Sequence, residues 1–294
     1  MNGIIIVNKK SGMSSSRVVQ RIKTLSKEKC GHLGTLDPLA EGVLPVAVGR
    51  ATRLFDFFLN KTKTYVAVIR FGYQTDTLDN EGKIVYKSNA LPTLDQIKKV
   101  IAENLIGEIS QLPPEYSAKK IDGRRSYDLA RSGQGVVLTP SKVNVYSFDI
   151  IREIDSYTFE AKIVCSSGTY IRSLCRDVGL LCGTYATMHH LCRISCGDFD
   201  LTHSVELDKL DNGNVNSYII PLEKVLCNLP KAHLEPKEYK DLLDGKKINK
   251  NELNFAKNDV FDDKNEVFAT YLNEKVVGLG KFENDYFKIV THLV

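Results

Sequence analysis

The 294 residues are 43% hydrophobic and 26% charged with a net charge of +4, the composition of a folded globular chain and not of a disordered or fibrous one. The longest apolar run near the start, Ile4-Ile5-Ile6-Val7, is too short for a bilayer span or a signal-peptide core, so the expected place is the cytoplasm, with no membrane contact. Seven cysteines form no disulfide framework for a chain of this size, and +4 alone does not identify a nucleic-acid binder.

The first predicted strand is Gly3 to Val7. Ser14 and Ser15 then cap a helix that gathers Val18, Val19, Ile22 and Leu25 on one face. Residues 30–49 carry Gly31, Gly34, Gly42, Pro38 and Pro45 and read as an ordered loop. Tyr65 to Phe71 alternates like a strand, and the turn Asp79-Asn80-Glu81-Gly82 leads to another strand at Lys83 to Tyr86. Thr93 and Gln96 match a capping box before a helix with Ile97, Val100, Ile101 and Leu105 on one face.

Residues 113–140 read as a long excursion, locally basic at Lys119, Lys120, Arg124, Arg125 and Arg131. From charge alone such a run favours a solvated loop, while its length marks a functional or mobile excursion. Strands follow at Val143 to Ile150 and Tyr157 to Cys165, and a helix with Ile171, Leu174, Val178 and Leu181 opens at Gly168-Thr169. His189, His190, Cys192 and Cys196 are the one cluster of candidate metal ligands; lacking a Cys-x-x-Cys pair, they are expected to bind no metal. From Pro230 the charge balances at 11 basic and 12 acidic residues. Short strands at Val267 to Leu272, Val276 to Leu279 and Phe287 to Val290 predict a small β-rich module. The expected class is α+β, mixed α and β with a mainly antiparallel sheet, divided into residues 1–229 and 230–294.

The stretch Gly31-His32-Leu33-Gly34-Thr35-Leu36-Asp37-Pro38-Leu39-Ala40-Glu41-Gly42 holds the chemistry. Pro38 pushes Asp37 towards an extended backbone, and the glycines let other chains come close. The local residues leave open whether Asp37 is a nucleophile or only makes an Asx turn.

This stretch resembles the catalytic-aspartate motif of the tRNA pseudouridine-55 synthases, the TruB family. Lys9-Lys10-Ser11-Gly12-Met13-Ser14-Ser15 resembles the family's N-terminal Lys-Pro motif, with Lys10 where proline is usual. Lys63-Thr64-Tyr65 resembles the active-site tyrosine segment, Leu112 to Arg131 the mobile thumb, and Ser167 to Leu174 the active-site arginine motif. The tail resembles a PUA-type RNA-binding module. The resemblance implies isomerisation of a uridine in the T arm of tRNA, without cofactor, metal or required protein partner, by a monomer. It makes Asp37 the nucleophile, Arg172 its ion-pair partner and Tyr65 the residue that stacks on the base. Tyr170 and Leu191 would line the uracil pocket, His32 would enter the RNA stack, and the thumb cations would grip phosphates. Lys9 would support the loop, and Asp79 would join the Arg172 network. The alternatives are a catalytically vestigial tRNA-binding protein and a guide-RNA-dependent relative.

Overall fold

The first strand, β1 (Gly3–Lys9), is apolar along its whole length because both of its faces are covered. Ile5 and Val7 join one buried cluster with Val18, Ile22 and Leu25 of helix α1 (Ser15–Ser26), while Ile4 and Ile6 join a second cluster on the opposite face. Such two-sided burial explains a continuous run where one-sided burial would give alternation. Helix α1 starts where expected: the Ser14 hydroxyl accepts a hydrogen bond from the Arg17 amide.

The computed structural model describes residues 1–59, 61–116, 120–121, 124–125, 138–255 and 267–294. After α1 come β2 (Cys30–His32), β3 (Glu41–Val48), the short helix α2 (Phe55–Leu59), β4 (Lys63–Phe71), β5 (Tyr73–Thr75) and β6 (Ile84–Lys87). Helix α3 (Leu94–Asn104), with the expected Thr93/Gln96 capping box, leads to β7 (Gly107–Gln111). Lys120, Arg124 and Arg125 fall on the small strands β8 (Lys120–Ile121) and β9 (Arg124–Arg125), which pair antiparallel, whereas Lys119 and Arg131 lie outside the described residues. Then follow β10 (Ser141–Asp155), β11 (Thr158–Cys165), helix α4 (Ile171–Leu181), β12 (Ala186–Cys196), β13 (Phe199–Asp200), β14 (Val205–Glu206) and β15 (Ile220–Pro221).

The main sheet runs β14-β1-β3-β12-β4-β11-β10-β7, with β2, β13 and β15 paired at its margins. Its pairings are antiparallel except β1 with β14 and β3 with β12. The chain is therefore mixed α and β with a mainly antiparallel sheet.

Two expectations need correction. Residues 30–49 are not one loop: Glu41–Val48 is a buried inner strand, and only residues 33–40 remain irregular. Pro45 is tolerated because it falls between Glu41-Gly42, which pair with β12, and Val46–Val48, which pair with β2. On that side Pro45 only accepts, its carbonyl taking the Leu33 amide at 2.9 Å, and no named strand pairing requires its missing N–H. The second correction is β12, which the sequence reading did not identify and which lies at the centre of the sheet. Its register against β4 shifts between Met188 and His190 and again between Arg193 and Ser195. Two bulges in eleven residues erase the period-two signal. The arginine helix also starts slightly later than expected, at Ile171.

The second sheet uses β16 (Lys231–His233), β17 (Ile248–Asn249), β18 (Asn254–Phe255), β19 (Phe268–Leu272), β20 (Lys275–Glu283) and β21 (Tyr286–His292), in the order β17-β21-β20-β19-β16-β18. The three expected tail strands are its core. One side of it, through Ala269, Tyr271, Val276 and Leu279, completes the cluster that covers Ile4, Ile6, Val43 and Ala47 of the main sheet. All seven cysteines are free thiols. Among the described residues no helix is long and apolar enough to cross a membrane, and no group of three or more His, Cys, Asp or Glu is placed to hold a metal.

Candidate active site

Asp37 sits at the apex of the irregular segment between β2 and β3, and the segment is pinned from three sides. From β1, fully buried Lys9 donates from Nζ to the carbonyls of Met13 at 2.7 Å and of Lys10 and Pro38 at 3.1 Å. From the start of α1, buried Ser15 closes a two-way pair with Leu36: its Oγ accepts from the Leu36 amide at 3.0 Å and donates to the Leu36 carbonyl at 2.8 Å. Ser11 Oγ donates to the Leu39 carbonyl at 2.8 Å and the Gly12 amide to that of Pro38 at 2.9 Å. The sequence motif around Lys9–Ser15 is thus the bed on which the Asp37 loop rests. Lys10, at the position where proline is usual, turns outward and pairs with Asp208 at 2.8 Å and Glu206 at 3.4 Å.

The third clamp, Arg193 of β12, was not singled out from sequence. The residue is 1% exposed, and its guanidinium donates from Nε to the Val43 carbonyl at 2.7 Å, from Nη2 to that of Gly34 at 3.0 Å and from Nη1 to that of Thr35 at 3.4 Å. No signal of spacing or alternation marks it, because it lies between the two bulges of an unrecognised strand.

Arg172 is presented by the first turn of α4, and its Nη2 meets Asp37 Oδ2 at 2.8 Å. The arginine side chain is 6% exposed and that of Asp37 36%, so the carboxylate faces the cleft while its partner is sunk in the wall. A buried guanidinium needs more than one acceptor. Asp79 Oδ2 lies 3.4 Å from Nη1, and the carbonyls of Thr77 and Tyr116 each accept at 3.0 Å. Asp79 is itself fixed by the Thr77 hydroxyl at 2.6 Å and the Glu81 amide at 3.1 Å. Arg172 is held so firmly that Asp37 has little rotational freedom beside it.

A cleft of about 230 Å³ opens in front of Asp37. Tyr65 of β4, Tyr170 at the cap of α4, Leu191 of β12, Arg172, Lys63 and Arg193 all line it, and Asp37 is its one acidic residue among those described. Tyr65 is nearly buried, and burial pushes its hydroxyl pKa up to about 12 against the opposing pull of Arg193, so it is a neutral phenol at neutral pH. Lys63 spans to the end of α2, donating to the Phe58 and Leu59 carbonyls at 3.1 and 3.3 Å. The Tyr170 backbone is bolted to buried Gln111 by a reciprocal pair at 2.8 and 3.1 Å. His32 lies on β2, opposite Val46 of β3, outside the residues that line the cleft. The four candidate metal ligands are spread along β12: His190 pairs with Glu41 at 3.0 Å, His189 contacts Tyr73, and Cys196 is in the core.

Residues 22–171 match the family model described as the TruB family pseudouridylate synthase N-terminal domain, and residues 172–227 match the tRNA pseudouridylate synthase B C-terminal domain. The chain is 41% identical to a tRNA pseudouridine synthase B of Clostridium kluyveri over 99% of both chains, and 36% identical to one of Aquifex aeolicus over 96% of both. In fold it is similar to a chain in the crystal structure of a Cbf5-Nop10-Gar1 complex, with a TM-score of 0.72 and 26% identity over 99% of this chain and 85% of that one. The fold is that of a pseudouridine synthase. The chain belongs to the TruB family.

Proposed function

We propose that this protein converts uridine 55 in the T arm of tRNA to pseudouridine, with Asp37 as the nucleophile, acting alone as a monomer in the cytoplasm. The observation that carries the reading is the Asp37–Arg172 pair at 2.8 Å facing a cleft floored by Tyr65, in a chain similar over its whole length to tRNA pseudouridine synthases B. The isomerisation breaks C1′–N1, turns the base and joins C5 to C1′, while C5 loses a proton and N1 gains one. Nothing is oxidised and no water is consumed. One carboxylate therefore suffices, where a glycosidase needs two to manage water.

The target base must leave its stack to reach Asp37, at a cost of a few kcal/mol. Tyr65 offers the flipped ring a face, and such stacking contributes roughly 1–3 kcal/mol. Tyr170 and Leu191 form the walls of the pocket, and His32 occupies the stack near the space the nucleotide leaves. The thumb cations Lys119, Lys120, Arg124, Arg125 and Arg131 contact phosphates, so affinity falls as salt rises. Residues 1–229 act as the catalytic domain and residues 230–294 as the RNA-binding module.

Purified protein should form pseudouridine in unmodified tRNA and in a T-arm minihelix without any added factor. The Asp37→Asn variant should lose at least ~10³-fold in turnover while binding RNA as tightly as the wild type. Appreciable turnover by that variant excludes the nucleophile. Binding without product by the wild type supports a vestigial site, and activity that needs added RNA and protein supports the guide-dependent alternative.

A further inference from the structure

We infer that Arg193 is a positioning residue for the isomerisation, acting as a staple that closes both ends of the Asp37 loop and ties them to Tyr65. The inference rests on the functional reading above. The loop runs from Gly34 to Val43, and one guanidinium touches both termini: Gly34 and Thr35 before the carboxylate, Val43 after it. Arg193 is also the cross-strand partner of Tyr65 on β4, and both residues line the cleft. Nucleophile and stacking residue come from different elements, the loop before β3 and strand β4, and Arg193 adjoins both.

Its chemistry fits a staple and not a filler. Among the described residues no carboxylate lies within ion-pair distance of Arg193, so the buried charge is compensated by carbonyl dipoles alone. A buried charge without a counter-charge is costly, and an apolar side chain would pack there at less expense if packing were all that was needed. A planar fork of five N–H groups meets separated acceptors along fixed directions, whereas an ammonium, as at Lys9, has to gather its acceptors around one point. The main chain takes part as well. A Cβ on Gly42 would come within 2.3 Å of the Arg193 carbonyl oxygen, so β12 holds the loop's exit by its backbone as well as by this side chain. Effective catalysis asks for placement of the reacting carboxylate within a fraction of an ångström, and among the described residues the Asp37 segment is otherwise held from the β1 and α1 side and by Arg172.

The test is Arg193→Lys in the full-length chain, compared with wild type in melting temperature, tRNA affinity and single-turnover rate at saturating tRNA. The expected result is a Kd within about threefold of wild type and a rate lower by about 10²-fold, a loss in kcat and not in KM. Tyr65→Phe should cost less in the Arg193→Lys background than in wild type, because the two share one support. Hydrogen exchange of residues 33–43 should be faster in Arg193→Lys with the rest of the molecule unchanged, a readout that needs no turnover. A rate within threefold of wild type, or unchanged exchange in that segment, overturns the inference. Equal losses in melting, affinity and exchange across the molecule would also overturn it, by reducing Arg193 to a fold residue. A wild type that makes no product counts against the functional reading instead, and the exchange measurement still decides the role of Arg193.

Discussion

At the scale of single residues, the site is an arrangement of buried cations around one half-exposed carboxylate. Lys9 is the clearest case for a pH test. Burial lowers its pKa from 10.5 to about 8, with Asp37 and Glu41 opposing the shift and Arg193 adding to it. The native state thus releases this proton before the unfolded chain does. Between about pH 8 and 10.5 the unfolded state binds more protons at this group, so its contribution to the free energy of unfolding rises with pH. In Lys9→Met the contribution is absent, while every other titration is shared. Wild type should therefore gain about 2 kcal/mol relative to Lys9→Met between pH 8 and pH 10, measured by urea unfolding at fixed ionic strength. A difference that stays flat, or shrinks, would mean that Lys9 keeps its proton across this range. Asp37, Tyr65 and Arg172 were legible because each lies in a recognisable run of neighbours. Arg193 was not, since its role is defined by three carbonyls distant in sequence, and carbonyls leave no trace in residue identity.

At the scale of elements, α1, α3, β4 and β11 were legible because the period of one buried face shows plainly, and β1 because its two-sided burial leaves an unbroken apolar run. The parts that were missed are interrupted by glycine, proline or bulges. Strand β3 is buried from Gly42 to Val48, and its Gly and Pro mimic loop punctuation. Gly42 belongs there for a definite reason. Its φ of +99° and the Arg193 oxygen 2.3 Å from any added Cβ exclude a side chain twice over. Gly183, after α4, has a φ of +73° but open space around it. Gly42→Ala should therefore destabilise by about 2–4 kcal/mol and also displace the Asp37 loop, whereas Gly183→Ala should cost about 1 kcal/mol and spare activity. Thermal melting and turnover of the two variants side by side check this. Equal costs would show that the left-handed backbone, and not the approach of β12, governs both positions.

At the scale of the whole molecule, the expected division at residue 230 marks a change of sheet but not a change of core. The second sheet presents Ala269, Tyr271, Val276 and Leu279 to the main sheet, where they bury Ile4, Ile6, Val43 and Ala47 in one continuous cluster. Its other face keeps a separate small core around Phe268, Phe282 and Phe287. A module of this size is marginal alone, and sharing the cluster gives each sheet part of its stability through the other. That arrangement also fixes the tail relative to the cleft, because the shared cluster lies on one face of β1, which ends at Lys9, and of β3, which follows the Asp37 segment. Leu279→Ala should cost about 2–4 kcal/mol and should lower the melting temperature of the entire chain in a single transition. Phe287→Ala, confined to the separate core, should instead split off an early partial transition in which the second sheet loosens first. Calorimetry distinguishes the two. Should Leu279→Ala produce the split transition and leave the main transition in place, the two sheets would be energetically independent, and the shared cluster would be a contact without cooperative consequence.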